Sequence, residues 1–167
     1  MAVVNTKSTR VSNADAVSQT LDSVIVNHGR ARSVCATMEA ANGDSIGSTF
    51  RIARVFSSWR ITSIKMFCDA ITSGAGDVGL YHPANRSSGA VVDADAYASA
   101  ASIASASAVG IELAYEARNV DKVQNQVWQD AGLTSDPGQW YDLVMTLTAA
   151  TTAAGTLSFE VSYVAND

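Results

Sequence analysis

The six residues GAGDVG at positions 74–79 match the GxGxxG fingerprint of dinucleotide-binding sites. In such sites the glycines close a turn from a strand into a helix, and the first N–H groups of that helix bind the pyrophosphate. The next four residues, LYHP, end in Pro83, which biases its predecessor away from helical dihedral angles, and Asp77 would place a negative charge beside a phosphate. The sequence therefore favours a glycine-rich turn between two strands, with glycines supplying positive φ angles, over a cofactor site.

A hydrolytic triad would have to use one of the two histidines, His28 or His82. His28 lies in a polar segment beside a glycine, and His82 precedes a proline at the end of a predicted strand. Neither position suits a general base that must be held against a nucleophile. We therefore expect that the protein is not an enzyme and has no catalytic residues.

Three aspartates, Asp77, Asp93 and Asp95, could gather at one edge of the fold and bind a calcium ion. The run DADAYASAASI lacks the glycine at position six and the glutamate at position twelve of an EF-hand loop, so solvated loop carboxylates and a helix cap are the simpler explanation. Cys35 and Cys68 belong to no CxxC pair and are expected to be free thiols. The sequence predicts no metal and no cofactor.

Charge and composition restrict the classes of partner. The formal net charge is -5, and 16% of the residues are charged against 47% hydrophobic. An acidic chain without basic runs is a poor ligand for nucleic acid, whereas a neutral surface of small residues suits permanent contact with other subunits. Either an acidic protein surface or solvent alone could face a set of arginines in the earlier part of the chain, Arg30, Arg32, Arg51, Arg54 and Arg60.

Targeting and membrane signals are missing from the sequence. The opening residues, MAVVNTKSTRVSNADAV, contain no apolar core of a signal peptide, and no stretch approaches 18 consecutive apolar residues. We expect synthesis and retention in a cytoplasm, with no membrane partner.

Patterning divides the chain into an arm over residues 1–33 and a single β-sandwich domain over 34–167. The arm is polar, with one predicted strand in LDSVIV at 21–26. Alternation of apolar and polar residues predicts further strands. They are STFRIARVFS, WRITSIKMFCD, VGLYHPA, IELAYEAR, WYDLVMTLTAA and GTLSFEVSYV, of which the last two form the clearest pair, joined by a short connection.

The clearest helical pattern lies near residues 120–131. Val120, Val123, Val127 and Ala131 share one face of a helix near residues 120–131, which Gly132 would end with a positive φ. The segment 93–110 is rich in alanine and serine and could form a short helix capped by its first aspartate, a coil or an edge strand. Many short strands and one inserted helix predict a mainly all-β fold, an antiparallel sandwich.

Three tryptophans, Trp59, Trp128 and Trp140, raise a binding hypothesis. They could form a stacking platform for sugars, although burial is the commoner fate of tryptophans at the starts of strands and on helix faces. A carbohydrate-binding β-sandwich is therefore one alternative function.

Several segments taken in order resemble a family of small structural proteins of tailed phages and prophages. They are VNTKST, FRIARV, ITSIKMFCDAITSGAGDVGLY, GAVVDADAYASA, VGIELAYEARNVDK and VWQDAGLTSDPGQWYDLVMTLTAATTAAGTLSFEVSY. The chain looks most like the capsid cement, or decoration, proteins of short-tailed phages such as the Bordetella phage. This resemblance implies a jelly-roll-like sandwich that binds the outside of an HK97-type capsid and bridges major capsid subunits. Tail and neck proteins of such phages are the alternative within this class.

The arm is the predicted interface with a neighbouring subunit. Its polar sequence is interrupted by isolated apolar residues that could pack on a neighbour. The predicted contact residues are Val3, Val4, Asn5, Arg10, Val24, Ile25 and Val26. An exposed strand edge predicts self-association into a homo-oligomer, and the resemblance implies the major capsid protein as partner and the capsid exterior of the virion as location.

Overall fold

A computed structural model describes Lys7, residues 9–18 and residues 29–166 of the chain. Eight strands account for most of it: β1 (Arg30–Ala40), β2 (Thr49–Phe56), β3 (Arg60–Cys68), β4 (Ala75–Tyr81), β5 (Val91–Ser102), β6 (Ser107–Glu112), β7 (Trp140–Ala149) and β8 (Gly155–Ala165). The helices are short: α1 (Thr9–Ala14), α2 (Ala84–Ser87), a 3₁₀ helix (Val120–Gln124) and α3 (Val127–Asp130). Within these described ranges, no helix has the length and apolar character needed to cross a bilayer.

The strands form two four-stranded sheets. One has the order β1-β8-β3-β6 and the other β2-β7-β4-β5, and every pair is antiparallel. Six of the seven connections between consecutive strands cross from one sheet to the other, and only β4 and β5 follow each other within a sheet, which is the strand order of a jelly roll. The predicted all-β jelly-roll-like sandwich is therefore confirmed.

The core lies between the sheets and follows the predicted alternation along β8. Leu157, Phe159 and Val161 of that strand are at most 1% exposed. On β3 the alternation is broken, because both Ile61 and Ile64 are fully buried. A register shift against β8 between Ile61 and Ser63 explains this pattern, since one extra residue turns the following side chains to the other face.

The strands β7 and β8 begin where the sequence indicates and end within one residue of it, yet they do not pair with each other. β7 lies between β2 and β4 in one sheet, whereas β8 lies between β1 and β3 in the other. The connection at 150–154 therefore crosses from sheet to sheet. Both strands are central in their sheets, so each contributes an unbroken row of inward side chains to the core.

The region 93–118 differs in part from the prediction. Residues 93–102 belong to β5, so the strand alternative holds there and the helix capped by Asp93 is wrong. A strand over 111–118 is also wrong, because β6 ends at Glu112. The Glu112 carboxylate accepts hydrogen bonds from the backbone N–H groups of Ile64 and Ala114, both at 2.9 Å, and this turns the chain out of the sheet.

The single helix predicted near 120–131 is two separate pieces. Asn125 and Gln126 between them are extended, because the next two N–H groups bond outside the helix, Val127 N–H to the carbonyl of Trp59 and Trp128 N–H to that of Ser57. Of the predicted apolar face only Val127 is buried, while Val120 is 67% exposed.

The predicted stop after α3 is confirmed. Gly132 has φ 72°, and the Leu133 N–H bonds to the carbonyl of Trp128 at 3.1 Å, which is the Schellman pattern.

The arm lies mainly outside the described residues. The strand predicted at 21–26 is among the residues that are not described, and α1 occupies residues 9–14. β1 begins at Arg30, so the last four residues of the 1–33 segment belong to the sheet.

Candidate interaction site

The predicted interface residues give little geometry. Arg10 lies in α1, although its side chain is not described. The remaining six lie outside the described residues: Val3, Val4, Asn5, Val24, Ile25 and Val26. Beside the helix, Lys7 Nζ and Asp15 Oδ2 form an exposed ion pair at 2.6 Å. The arm therefore stays a prediction.

Five residues of the GAGDVG segment, from Ala75 to Gly79, lie in strand β4, and Gly74 ends the turn before it, where its N–H bonds to the Ile71 carbonyl at 3.0 Å. None of its three glycines has a positive φ, so that part of the prediction is wrong. Gly79 is instead required by close approach, because a Cβ there would lie less than 3.0 Å from the Asp93 carbonyl oxygen and from backbone atoms of Ala94. The glycine lets an irregular stretch of β5 approach the backbone of its neighbour β4 closely.

A second motif was missed in the sequence. Residues 43–47 read GDSIG, which matches the GxSxG pattern of a nucleophile elbow. The segment is a loop between β1 and β2 rather than a strand-to-helix turn, and Ser45 is exposed there. The Gly43 N–H and the Asp44 N–H both bond to Thr151, which ties this loop to the β7–β8 connection. His82, the one described histidine, packs its ring 5.7 Å from that of Tyr141.

Two of the three aspartates weighed as metal ligands bind backbone N–H groups instead. Asp77 Oδ1 accepts the Ala100 N–H at 2.7 Å, where Ala100 has φ 50°. Asp93 Oδ1 accepts the Asp95 N–H at 3.3 Å, and burial together with Asp95 raises the pKa of Asp93. Among the described residues, no three His, Cys, Asp or Glu side chains are placed to hold a metal ion.

A buried ion pair fixes the long connection between β6 and β7. Arg118 Nη1 lies 2.5 Å from Asp130 Oδ2, and the two side chains are only 7% and 2% exposed. Arg118 also donates to the carbonyls of Ala114 and Ile61, at 2.8 Å and 2.6 Å. The Tyr97 hydroxyl donates to Asp130 at 3.1 Å, beneath the guanidinium.

Burial controls the ionisation of this cluster. Burial raises the pKa of Asp130, and the adjacent Arg118 opposes that rise. Burial also raises the pKa of Tyr97 well above its ordinary value. Because these groups already bond one another and are closed to solvent, they serve to position the connection rather than to bind a ligand.

A second ionic cluster lies on the outer face of the β2-β7-β4-β5 sheet. Asp142 of β7 is nearly buried and accepts hydrogen bonds from Arg51 Nη1 at 2.9 Å and from Arg54 Nε at 2.7 Å. The arginines are three residues apart and would face opposite ways on a regular strand. A register shift between Arg51 and Ala53 brings both to one face.

These side chains line a shallow recess of about 420 Å³ on the surface. One carboxylate facing two guanidinium groups leaves the recess positively charged in a protein of net charge -5. Arg51 and Arg54 do not form one patch with Arg30, Arg32 and Arg60, however. Arg30 and Arg32 lie on β1 in the other sheet, and Arg60 is buried.

Replacing Asp142 with asparagine keeps its size but removes the charge that both arginines share. We expect Asp142→Asn to lower the free energy of unfolding by about 1–2 kcal/mol, since hydrogen bonds to charged groups contribute about 1.5–3 kcal/mol and the freed arginines regain water. Urea unfolding would measure the change. Asp121→Asn, at an exposed carboxylate, is the matched control, and an equal loss in both variants would contradict the expectation.

Aromatic residues cluster at one end of the sandwich. The rings of Trp59 and Tyr163 stack with centroids 4.7 Å apart and planes 9° apart, while Trp140 forms T-shaped contacts with Phe56 and Trp59. Trp140 is 37% exposed. The Trp128 indole N–H donates to Gln126 at 2.7 Å. The three tryptophans therefore do not share one flat platform.

Both cysteines are free, as predicted. Cys35 is exposed on β1, and Cys68 is buried at the end of β3, where burial raises the pKa of its thiol.

The sequence matches no protein-family model and no curated protein. Its fold is similar to that of a phage capsid chain. The similar structure is the cyanophage Pam1 capsid asymmetric unit, with a TM-score of 0.53 at 12% sequence identity, over 81% of this chain and 85% of that chain. At this identity the likeness establishes the fold shared by the two chains.

Proposed function

We propose that this protein is a structural component of a phage virion, which binds the outside of an HK97-type capsid and bridges its major capsid subunits. The observation that carries the proposal is the fold likeness to a chain of the cyanophage Pam1 capsid asymmetric unit over most of both chains. The chain would be made in the cytoplasm of a host bacterium and would act on the capsid exterior, without nucleic acid or membrane as partners.

The surface chemistry supports a binding role rather than catalysis. The strongest polar clusters of the described residues are engaged in structure: Arg118 with Asp130, Asp77 with the Ala100 backbone, and Asp142 with its arginines. The low charged fraction of 16% also suits a surface that is permanently covered by other subunits. We propose that the protein has no enzymatic activity and no cofactor.

The proposed mechanism is mechanical stabilisation of the shell. A protein that binds only the expanded lattice stabilises that state by mass action, in proportion to its preference for it. Because a shell repeats the same site many times, each contact can be weak while the sum remains large. A homo-oligomer would add to this effect by joining neighbouring sites.

The proposal is tested by adding the purified protein to phage heads that lack it. Expanded and unexpanded heads are mixed separately with the protein and sedimented, and the bound copies per head are counted. We expect saturable, stoichiometric binding to expanded heads and little binding to unexpanded ones, since the bridging sites exist only after expansion. Absence of binding to both would contradict the capsid role and favour the tail or carbohydrate-binding alternatives.

The same sedimentation assay addresses the arm. Deleting residues 2–26 should weaken binding to expanded heads if the arm wraps a neighbouring subunit, while Asp121→Asn, on the exposed 3₁₀ helix, serves as a control. Unchanged binding by the deletion variant would remove the arm from the interface and leave the capsid role intact.

A further inference from the structure

The loop between β1 and β2 carries the single Asn–Gly pair of the sequence, at Asn42 and Gly43. Both residues are exposed. An asparagine followed by glycine is a chemically labile pair, because the glycine nitrogen can attack the side-chain amide and glycine has no Cβ to hinder the approach. The loop therefore contains a position at which the chain can change covalently without an enzyme.

The chemistry of this change needs only water as a reactant. The Gly43 nitrogen first gives up its proton to solvent and then forms a bond to Cγ of Asn42. The bond from Cγ to Nδ2 breaks, and ammonia leaves with a proton taken from water, so that a five-membered cyclic imide remains. Water then adds to one of the two imide carbonyls and opens the ring, which leaves aspartate or isoaspartate at position 42. The net reaction exchanges an amide NH2 for OH, and nothing is oxidised or reduced.

The fold withholds the attacking nitrogen. The Gly43 N–H donates to the carbonyl of Thr151 at 3.0 Å, so its proton is bonded to the protein rather than to water. A carbonyl is too weak a base to remove that proton. The attack therefore has to wait until the hydrogen bond opens and the N–H meets solvent, which is also the condition for exchange of this amide hydrogen.

Thr151 holds the chain on both sides of the labile pair. Its Oγ1 accepts the Asp44 N–H at 3.0 Å and donates to the Ala41 carbonyl at 2.6 Å, while its own N–H donates to the Asp44 carbonyl at 3.1 Å. Asp44 Oδ2 accepts the Ala41 N–H at 2.8 Å. Thr151 is only 2% exposed, so packing fixes its position. These residues, with Gly43, form a closed set of hydrogen bonds that we call the Thr151 network.

We propose that Asn42 is a site of spontaneous deamidation, and that the Thr151 network sets the rate by withholding the Gly43 nitrogen. The folded chain reacts only through openings of the loop at 41–48, so the reaction is much slower than in the same chain when it is unfolded. This modification site is a property of the chain by itself, and it holds whether or not the protein binds a capsid.

The products would change the loop permanently. An aspartate at position 42 adds a negative charge two residues from Asp44. An isoaspartate routes the main chain through the former side-chain carbon and lengthens it by one carbon atom. The longer chain no longer matches the spacing between the Ala41 carbonyl and the Asp44 N–H that Thr151 bridges. Converted molecules should therefore have a looser connection between β1 and β2.

Peptide mapping by mass spectrometry tests the proposal. The purified full-length protein is held at neutral pH in buffer and, separately, in urea that unfolds it, and the fractions of aspartate and isoaspartate at position 42 are followed with time. We expect steady conversion in the unfolded chain. Conversion in the folded protein should be at least about tenfold slower, because several linked hydrogen bonds must open before the reaction.

Two adjacent threonines provide matched variants. Thr151→Val keeps the shape of the side chain and removes the hydroxyl that joins Ala41 to Asp44. Thr152→Val removes a hydroxyl that bonds the Thr72 carbonyl instead. We expect Asn42 to deamidate roughly fivefold faster in Thr151→Val than in the natural protein, and at the natural rate in Thr152→Val.

Amide hydrogen exchange at Gly43 measures the opening itself. Exchange and deamidation should rise together in Thr151→Val and in Asp44→Ala, which removes the bond to the Ala41 N–H and serves as the test if Thr151→Val does not fold. Equal conversion rates in the folded and unfolded natural protein would overturn the proposal. So would faster exchange at Gly43 without faster conversion, or an Asn42 that stays intact in the unfolded chain.

Discussion

Replacing Arg118 with alanine is expected to lower the free energy of unfolding by about 3–5 kcal/mol, because the variant leaves a buried carboxylate without its counter-ion. The Asp130 side chain is 2% exposed, so water cannot replace the guanidinium. The same substitution also removes the guanidinium N–H groups that donate to the carbonyls of Ala114 and Ile61. Urea unfolding at neutral pH would measure the loss.

The pH dependence of that loss gives an independent check. Burial already raises the pKa of Asp130 in the folded protein, and removing Arg118 removes the group that opposes the rise. A carboxyl whose pKa is higher in the folded state binds more protons there, so its folded state gains stability as the pH falls. The deficit of Arg118→Ala should therefore shrink between about pH 7 and about pH 5.

Two variants serve as controls for the ion pair. Lys122→Ala removes an exposed partner of Asp121 at 3.9 Å and should change stability by less than about 0.5 kcal/mol. Combining Arg118→Met with Asp130→Leu removes both charges and should cost less than Arg118→Ala alone. An Arg118→Ala protein as stable as Lys122→Ala would contradict the structural role assigned to the pair.

Replacing Gly79 with alanine is expected to cost about 3 kcal/mol or more, since overpacking against backbone cannot be relieved by a side-chain rotation. The added Cβ would meet the carbonyl of Asp93 and the backbone of Ala94. Separation of β4 from β5 is the response that we expect, and thermal unfolding together with amide exchange of β5 would detect it.

Gly138 provides the matched comparison for that variant. It has φ 60°, and nothing lies within 4 Å of where its Cβ would be. Gly138→Ala should therefore cost only the backbone strain of a left-handed residue, about 1–2 kcal/mol. If the two variants were equally stable, close approach of β5 would not be the reason for a glycine at position 79.

β2, β3, β7 and β8 could be predicted from the sequence because they are rich in apolar residues that reach the core. β8 shows the alternation that burial of one face imposes, β3 shows it beyond its register shift, and β7 is buried at five consecutive positions, from Tyr141 to Met145. β1, with the sequence RARSVCATMEA, was missed because it is an edge strand, exposed on both faces over its first six residues. Its strand conformation comes from pairing with β8, which no local pattern records.

The polar clusters could not be predicted, because tertiary contacts create them. Arg118 and Asp130 come together with Tyr97 only after β5 and the β6–β7 connection pack at the same place. The break in the predicted helix has a similar origin, since the carbonyls of Ser57 and Trp59 capture the N–H groups that would have continued it. Helix periodicity was a true local signal that the turn between β2 and β3 overrode.

The paired strands β1 and β8 run the length of the sandwich, so the two ends of this pair lie a full strand apart. Arg30 lies opposite Ala165 at one end, and Ala40 lies opposite Gly155 at the other, about 33 Å away at the usual rise per residue. The loop at 41–48 belongs to the far end, where Gly43 and Gly47 border open space. A foreign peptide inserted at that loop would therefore be displayed at the end of the sandwich opposite Arg30, about one strand length from the start of β1.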